Sequence, residues 1–234
     1  MAAAAATEFD PALHGFQFRN RFSGLDIVKE INAGFGDVAR NVSGSAEFWE
    51  GWGLCGGMSW HALDRFYDQE PVPELRDVPE GDTELFRKLA RRQFDSFRRA
   101  SLLTQCVRWQ SRQDRRRWWD FRETILQLTL KEWVKVKASV DQGFPPSLTL
   151  IRTTTDPSRN HQVIAVAYQE DQATGSGEID LYDPNHPNLT PKIRIKLDGG
   201  DAGKAHQSTG EKLRGFFVWP YDETQRSRGD ALPT

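Results

Sequence analysis

Two runs, Asn160-His-Gln-Val-Ile-Ala-Val-Ala-Tyr168 and Glu178-Ile-Asp-Leu-Tyr-Asp183, decide how this chain is read. The first is apolar on both faces, the pattern of a strand in the middle of a sheet. The second closes on an aspartate just before the proline turn Asp183-Pro-Asn-His-Pro187. The loop between them carries Ala173-Thr-Gly-Ser-Gly177, so the spacing predicts a hairpin. Facing residues in a hairpin have numbers that add to a constant, and a loop centred near residue 173 sets it at about 346. His161 then falls opposite Asp183 within a residue or two. The even separations of His161 from Val163 and of Leu181 from Asp183 let each pair share a face. Opposed side chains have Cβ atoms about 5 Å apart, within hydrogen-bonding range for an imidazole and a carboxylate.

Working outward, Ser147–Thr153, Lys192–Leu197 and Leu213–Trp219 read as further strands. Asp156-Pro157 and Gly199-Gly200 supply turn chemistry between them. Upstream, residues 55–143 read as helical. Met58, Ala62, Leu63 and Phe66 form one apolar stripe from Cys55 onward, and Leu85, Phe86, Leu89, Phe94 and Phe97 form a second. A third helix runs from about Phe121 through Trp133 and Val136 to Val140, with Gly143 as its stop. Residues 8–54 look irregular apart from a periodic piece at Leu25–Ala33 and the alternating Gly15–Phe22, which reads as a short strand or an extended arm. Helices first and an antiparallel sheet second predict an α+β fold. The reading by segment is a frayed N-terminus over 1–14, a single domain over 15–222 and a flexible tail over 223–234.

Composition narrows the function. The chain has 234 residues, 38% of them hydrophobic, with eight Trp and fourteen Phe, enough to fill a core. A net charge of −2 argues against general attraction to nucleic acid or membrane, and no apolar run approaches the roughly 20 residues needed to cross a bilayer. The start, Met1 to Thr7, lacks the basic residues of a secretory signal. Two cysteines make no disulfide framework, and both read as reduced thiols in a cytoplasm.

One of them stands in Gly53-Leu-Cys-Gly-Gly-Met58, where glycine-rich chain becomes an amphipathic helix. Unpaired N–H groups at a helix N-terminus stabilise a thiolate. Gly56 and Gly57 each cost about 1 kcal/mol of helix propensity relative to alanine, which close approach of another backbone or a substrate would explain. A polarised Cys55 beside a His161 oriented by Asp183 forms a nucleophile, base and orienter set for acyl transfer.

Gly-Leu-Cys-Gly-Gly before a helix, Asn-His-Gln-Val opening a strand and Leu-Tyr-Asp-Pro-Asn-His-Pro closing the next resemble the papain-like cysteine peptidases. Their style is nearest the bacteriocin-processing (double-glycine) branch and its uncharacterised relatives. The run Val136–Ile151 is similar to the helix, glycine and strand that precede the family's histidine strand. The resemblance covers roughly residues 48–66 and 132–187, and its order Cys, His, Asp agrees. It implies a papain-like fold, its helical part packed on a C-terminal sheet, with Cys55 as nucleophile, His161 as base and Asp183 as orienter. The family usually has a glutamine six residues before the cysteine to stabilise the oxyanion, whereas this chain has Trp49. The Cys55 N–H can supply one donor; Asn20 and Gln17 are the candidates for the second. Losing one such donor costs roughly 3 kcal/mol. Trp52, Gly56, Trp60 and Asn160 are candidates to line the cleft.

The expected function is therefore a cysteine hydrolase acting on a peptide or small acyl substrate through an acyl-enzyme, with no cofactor. The competing classes are a catalytically silent binding module on the same cleft and an acyltransferase or transglutaminase-like enzyme. Residues 87–117 hold eleven Lys or Arg against Asp95 and Asp114. Such a stretch reads either as a docking face for an acidic partner or as solvated helix faces paired with the acid-rich 68–84 segment. His161, Asp183 and His186 are ligand types, but no further ligand completes a metal set, so no metal is expected. Cys106, on a helical run without glycine or histidine nearby, reads as structural.

Overall fold

The computed structural model describes residues 2–34, 53–97, 101–114, 118, 121–152, 155–156 and 159–223. Its helices are α1 (Pro11–His14), α2 (Gly24–Gly34), α3 (Cys55–Tyr67), α4 (Glu84–Ser96), α5 (Ser101–Gln110) and α6 (Ile125–Asp141). Its strands are β1 (Ala2–Ala6), β2 (Ser147–Ile151), β3 (His161–Asp171), β4 (Ser176–Tyr182), β5 (Lys192–Lys196), β6 (Ala205–Gln207) and β7 (Gly215–Val218). The fold is α+β. The strands form one antiparallel sheet in the order β6-β5-β4-β3-β2-β7, and β1 pairs with the far half of β3. No helix among the described residues is long and apolar enough to cross a membrane.

Alternation along the strands explains the layering. Leu148, Leu150, Val163, Ala165, Ile179, Leu181 and Phe216 pack with Trp133, Val136 and Val140 of α6. Their neighbours Ile151, Ile164, Val166 and Phe217 pack instead with Met58, Ala62 and Leu63 of α3 and with residues of α4 and α5. The expected single helical part lying against the sheet is thus divided: the body of α6 covers one face, and α3 to α5 the other. This is why β3 is buried on both sides from His161 to Val166. A capping box starts α6, with the Thr124 side chain on the Gln127 N–H and Gln127 reaching back to the Thr124 N–H.

The hairpin register is close to its expectation. Ile164 faces Tyr182 and Ala165 faces Leu181, and Val166 then makes a bulge before Ala167 pairs with Asp180. Continuing that register past the end of β4 places Asp183 opposite Val163, two residues from His161 and on its face.

One reading of the N-terminus is corrected and another is narrowed. Residues 1–14 are not frayed over their described length: Ala2–Ala6 pair with Ala167–Asp171, and Phe9 is 2% exposed. Alanine carries no strand signal, and the pairing comes from the open edge of β3 beyond the end of β2. Gly15–Phe22 is not a strand. It is an arm whose Phe16 and Phe18 are fully buried, with the Phe16 N–H donated to the Tyr182 hydroxyl at 3.1 Å. Residues 224–234 of the expected tail, together with Trp49 and Trp52, lie outside the described residues.

The basic stretch is corrected in part. Arg92 is 2% exposed and holds Asp64 through two hydrogen bonds of 2.8 and 2.7 Å, so it belongs to the core rather than to a docking face. Lys88 pairs with Glu84, and Arg87 donates to the Asp82 carbonyl, in keeping with partners from the acid-rich segment.

Candidate active site

Cys55, His161 and Asp183 come together where the N-terminus of α3 meets the start of β3 and the turn after β4. His161 Nε2 lies 2.6 Å from Asp183 Oδ1, with the imidazole 5% exposed and the carboxylate fully buried. Asp183 also accepts the Asn185 N–H at 2.8 Å on Oδ1 and Gln207 Nε2 at 3.1 Å on Oδ2. Burial alone would favour the neutral acid. The charge and hydrogen bond of His161, followed by the Asn185 N–H, outweigh it and hold Asp183 below the ordinary carboxylate range.

His161 lies near enough for its ring and charge to act on the Cys55 thiol, and the Gln162 and Gly56 main-chain N–H groups act on it in the same direction. Since Nε2 is taken by Asp183, Nδ1 is the nitrogen left for Sγ. Burial opposes the thiolate, but the His161 hydrogen bond and charge, with those two N–H groups, overcome it and lower the Cys55 pKa. His161 moves the other way. Burial opposes its charged form, and Asp183 and Cys55 together push it up to about 10. The pair therefore favours thiolate and imidazolium. Cys106 is the contrast: also buried, it lacks such partners and is pushed up to about 12, as a structural thiol should be.

Glycines permit this packing. Gly53 turns the chain at φ +49°, and a Cβ there would lie 2.6 Å from Asn20 Nδ2. A Cβ on Gly57 would lie 2.0 Å from the Leu89 carbonyl oxygen, so that glycine admits the backbone of α4 rather than a substrate. Gly56, the expected cleft residue, is packed by the ends of Ser96 and Gln162, at 2.5 and 2.7 Å from the same hypothetical atom.

The other expected site residues fall in three groups. Asn20 is beside the chain leading into Cys55: Oδ1 accepts the Leu54 N–H at 2.6 Å, and Nδ2 donates to Asn185 Oδ1 at 3.1 Å. It ties the approach to Cys55 to the turn after Asp183 and keeps a second amide hydrogen. Asn160 accepts the Arg152 N–H at 3.1 Å on Oδ1, so it ties the start of β3 to the end of β2. Gln17 and Trp60 are misplaced by the sequence reading. Gln17 Nε2 is engaged by the carbonyls of Pro11, Ala12 and Gly15. Trp60 is fully buried, donates to Ser147 and lies 5.1 Å beneath the Arg92 guanidinium.

Asp183, His186 and Glu211 bring three ligand-type atoms within 4.8 Å of one another. Glu211 is the further ligand type that the sequence reading did not find; both Asp183 oxygens are already engaged, whereas His186 Nε2, 3.6 Å from Glu211 Oε2, has no hydrogen-bond partner among the described residues. Gln207 and Arg152 were missed by the sequence reading. The three-residue strand that carries Gln207 has no apolar alternation to announce it.

Comparison of the chain with protein-family models, curated proteins and solved structures finds no match in any of the three.

Proposed function

We propose that the protein is a papain-like cysteine hydrolase acting on a peptide or other acyl substrate in a reducing, cytoplasmic setting. The observation that carries this reading is the His161–Asp183 pair, an imidazole nitrogen 2.6 Å from a fully buried carboxylate, with the Cys55 thiol near enough for the imidazole to act on it. The Cys55 thiolate attacks the carbonyl carbon and forms a C–S bond, and the carbonyl electrons move onto oxygen. The Cys55 N–H and the remaining Asn20 amide hydrogen are the proposed donors to that oxyanion. Collapse breaks the bond to the leaving group, which takes the proton from His161 Nδ1. His161 then removes a proton from water as it attacks the thioester, and the acid leaves with Cys55 restored as thiolate. Asp183 fixes the tautomer and stays ionised throughout. An amine in place of water would make the same centre an acyltransferase.

The near-complete burial of Cys55 and His161, 6% and 5% exposed, favours a second reading, a binding module that has lost turnover. The test is iodoacetamide labelling of Cys55 against pH, followed by peptide mass spectrometry, then exposure to p-nitrophenyl acetate. The ratio of labelling at pH 6 to that at pH 10 separates ionisation from access. For a hydrolase this ratio should be far higher for Cys55 than for Cys106 and should collapse in His161→Ala, with an acetyl adduct on Cys55 that turns over. An adduct that persists in water but transfers to hydroxylamine points to acyl transfer. A Cys55 profile like that of an ordinary thiol sinks the catalytic reading.

A further inference from the structure

Asp183 needs more than one neighbour to face His161, because a buried carboxylate is free to rotate unless both of its oxygens are engaged. Oδ1 takes the His161 ring and the Asn185 N–H, whereas Oδ2 takes Gln207 Nε2 at 3.1 Å. Gln207 is 5% exposed on β6 and pairs with Ile193 of β5. Its Oε1 accepts from Arg152 Nη1 at 2.7 Å. A guanidinium only donates, so Oε1 must face Arg152 and the NH2 group must face Asp183; the orientation of the amide follows from its partners. Arg152 in turn donates its main-chain N–H to Asn160, the residue before His161. A closed circuit results: Arg152 to Gln207, to Asp183, to His161, and through Asn160 back to Arg152.

We propose that Gln207 is a positioning residue, which locks the rotation of the Asp183 carboxylate and so keeps Oδ1 on the His161 imidazole. Its importance for turnover rests on the catalytic reading above, while its action on His161 does not. Without it, Oδ2 becomes a buried charged oxygen with no donor, and the carboxylate turns to find one. The imidazolium then loses support.

The experiment compares wild type, Gln207→Met and Gln207→Asn, with His161→Ala to assign the signal. Methionine keeps length and bulk but makes no hydrogen bond. Asparagine keeps the amide, and hence a polar partner for Arg152 should methionine fail to fold, but is one methylene too short to span both neighbours. His161 titration is followed by NMR, Cys55 alkylation at pH 6 and pH 10 by mass spectrometry, and folding by circular dichroism. In folded variants, the His161 midpoint should drop by about one pH unit, a tenfold change in proton affinity, with a similar fall in the pH 6 to pH 10 alkylation ratio. A folded variant with an unmoved His161 titration overturns the proposal. If His161 shifts while Cys55 labelling ignores His161→Ala, the positioning role stands and the catalytic reading falls. If wild-type Cys55 depends on His161 but the Gln207 variants leave His161 unmoved, the reverse holds.

Discussion

Helix α3 carries two buried ionic clusters, and they solve the same problem in opposite ways. Toward its C-terminal half, Asp64 is clasped by Arg92, accepts the Tyr221 hydroxyl at 2.5 Å and lies 3.6 Å from His61. Arg92 also pairs with Asp95 and lies over the rings of Trp60 and Tyr221. Its charges belong to groups that are ionised in water anyway. At the N-terminus, folding lowers the Cys55 pKa and raises that of His161, which moves both toward charges they would not carry at neutral pH in the unfolded chain. The first cluster welds α3 to α4, whereas the second gathers a thiol, an imidazole and a carboxylate at one helix end. A buried charge pair thus marks function through the cost of creating its ions, more than through burial itself.

The largest effect that separates the two is on reactivity. Cys55→Ala removes the nucleophile and should abolish acetyl-adduct formation and turnover, a loss of at least about a thousandfold. Its urea midpoint at pH 7 should stay within about 1.5 kcal/mol of wild type. A variant that still turns over p-nitrophenyl acetate at the wild-type rate places the chemistry elsewhere.

The converse holds at the other cluster. Arg92→Met leaves Asp64 buried without its guanidinium and should cost about 3–5 kcal/mol in urea unfolding. The double variant Arg92→Met with Asp64→Leu should recover much of that loss, since two apolar groups leave no orphaned charge. A single variant within about 1 kcal/mol of wild type would show that α3 and α4 are held mainly by their apolar contacts.

How much of this contrast could be read from the chain depends on how local each signal is. The His161–Asp183 hairpin was legible because register follows from loop position, and the apolar pattern of β3 marked it as central. The Val166 bulge shifts the register too little to separate the pair. The helix start at Cys55 was legible from glycines and a single apolar stripe. The Asp64–Arg92 clasp was not, because its partners are 28 positions apart and Arg92 sits among arginines that read as surface. Nor was the division of the helices between the two faces of the sheet, since amphipathicity shows that a helix has a buried side and says nothing about which face receives it. Gln207 and β1 depend on long-range pairing with strands that must already be in place.

A smaller effect tests how closely the two helices must meet at the reactive end. A Cβ on Gly57 would collide with the Leu89 carbonyl of α4, so Gly57→Ala should cost about 1–3 kcal/mol despite alanine's better helix propensity. Gly56→Ala meets the ends of flexible side chains, Ser96 and Gln162, and should cost less. Equal costs in urea unfolding would mean that α3 shifts along α4 to make room.

The pH dependence of stability distinguishes the clusters most finely. Asp64 is held below its ordinary 3.8 by His61 and Arg92 against the effect of burial, so its contribution is present above that value and lost as pH falls. The reactive pair behaves differently. His161, raised from 6.5 to about 10, stabilises fully below 6.5, and that contribution is lost as pH climbs toward 10. Cys55, lowered from 9.0, stabilises fully above 9.0 and loses that contribution as pH falls. Above 6.5, from the lowered Cys55 pKa up to 9.0, the two trends cancel, because folding moves a proton from sulfur to nitrogen without changing how many are bound. From the pair alone, wild-type stability should be flat there and fall by about 1.4 kcal/mol per pH unit above it. Cys55→Ala removes the compensating group. Its stability should decline from pH 6.5 upward at that slope, until His161 reaches the pKa that Asp183 alone sustains. The difference between the two urea-unfolding profiles cancels the Lys and Tyr titrations common to both. Parallel profiles across pH 6.5 to 9.0 would show that the folded protein keeps Cys55 as a neutral thiol, and the site would then resemble the Asp64 cluster in being built for structure.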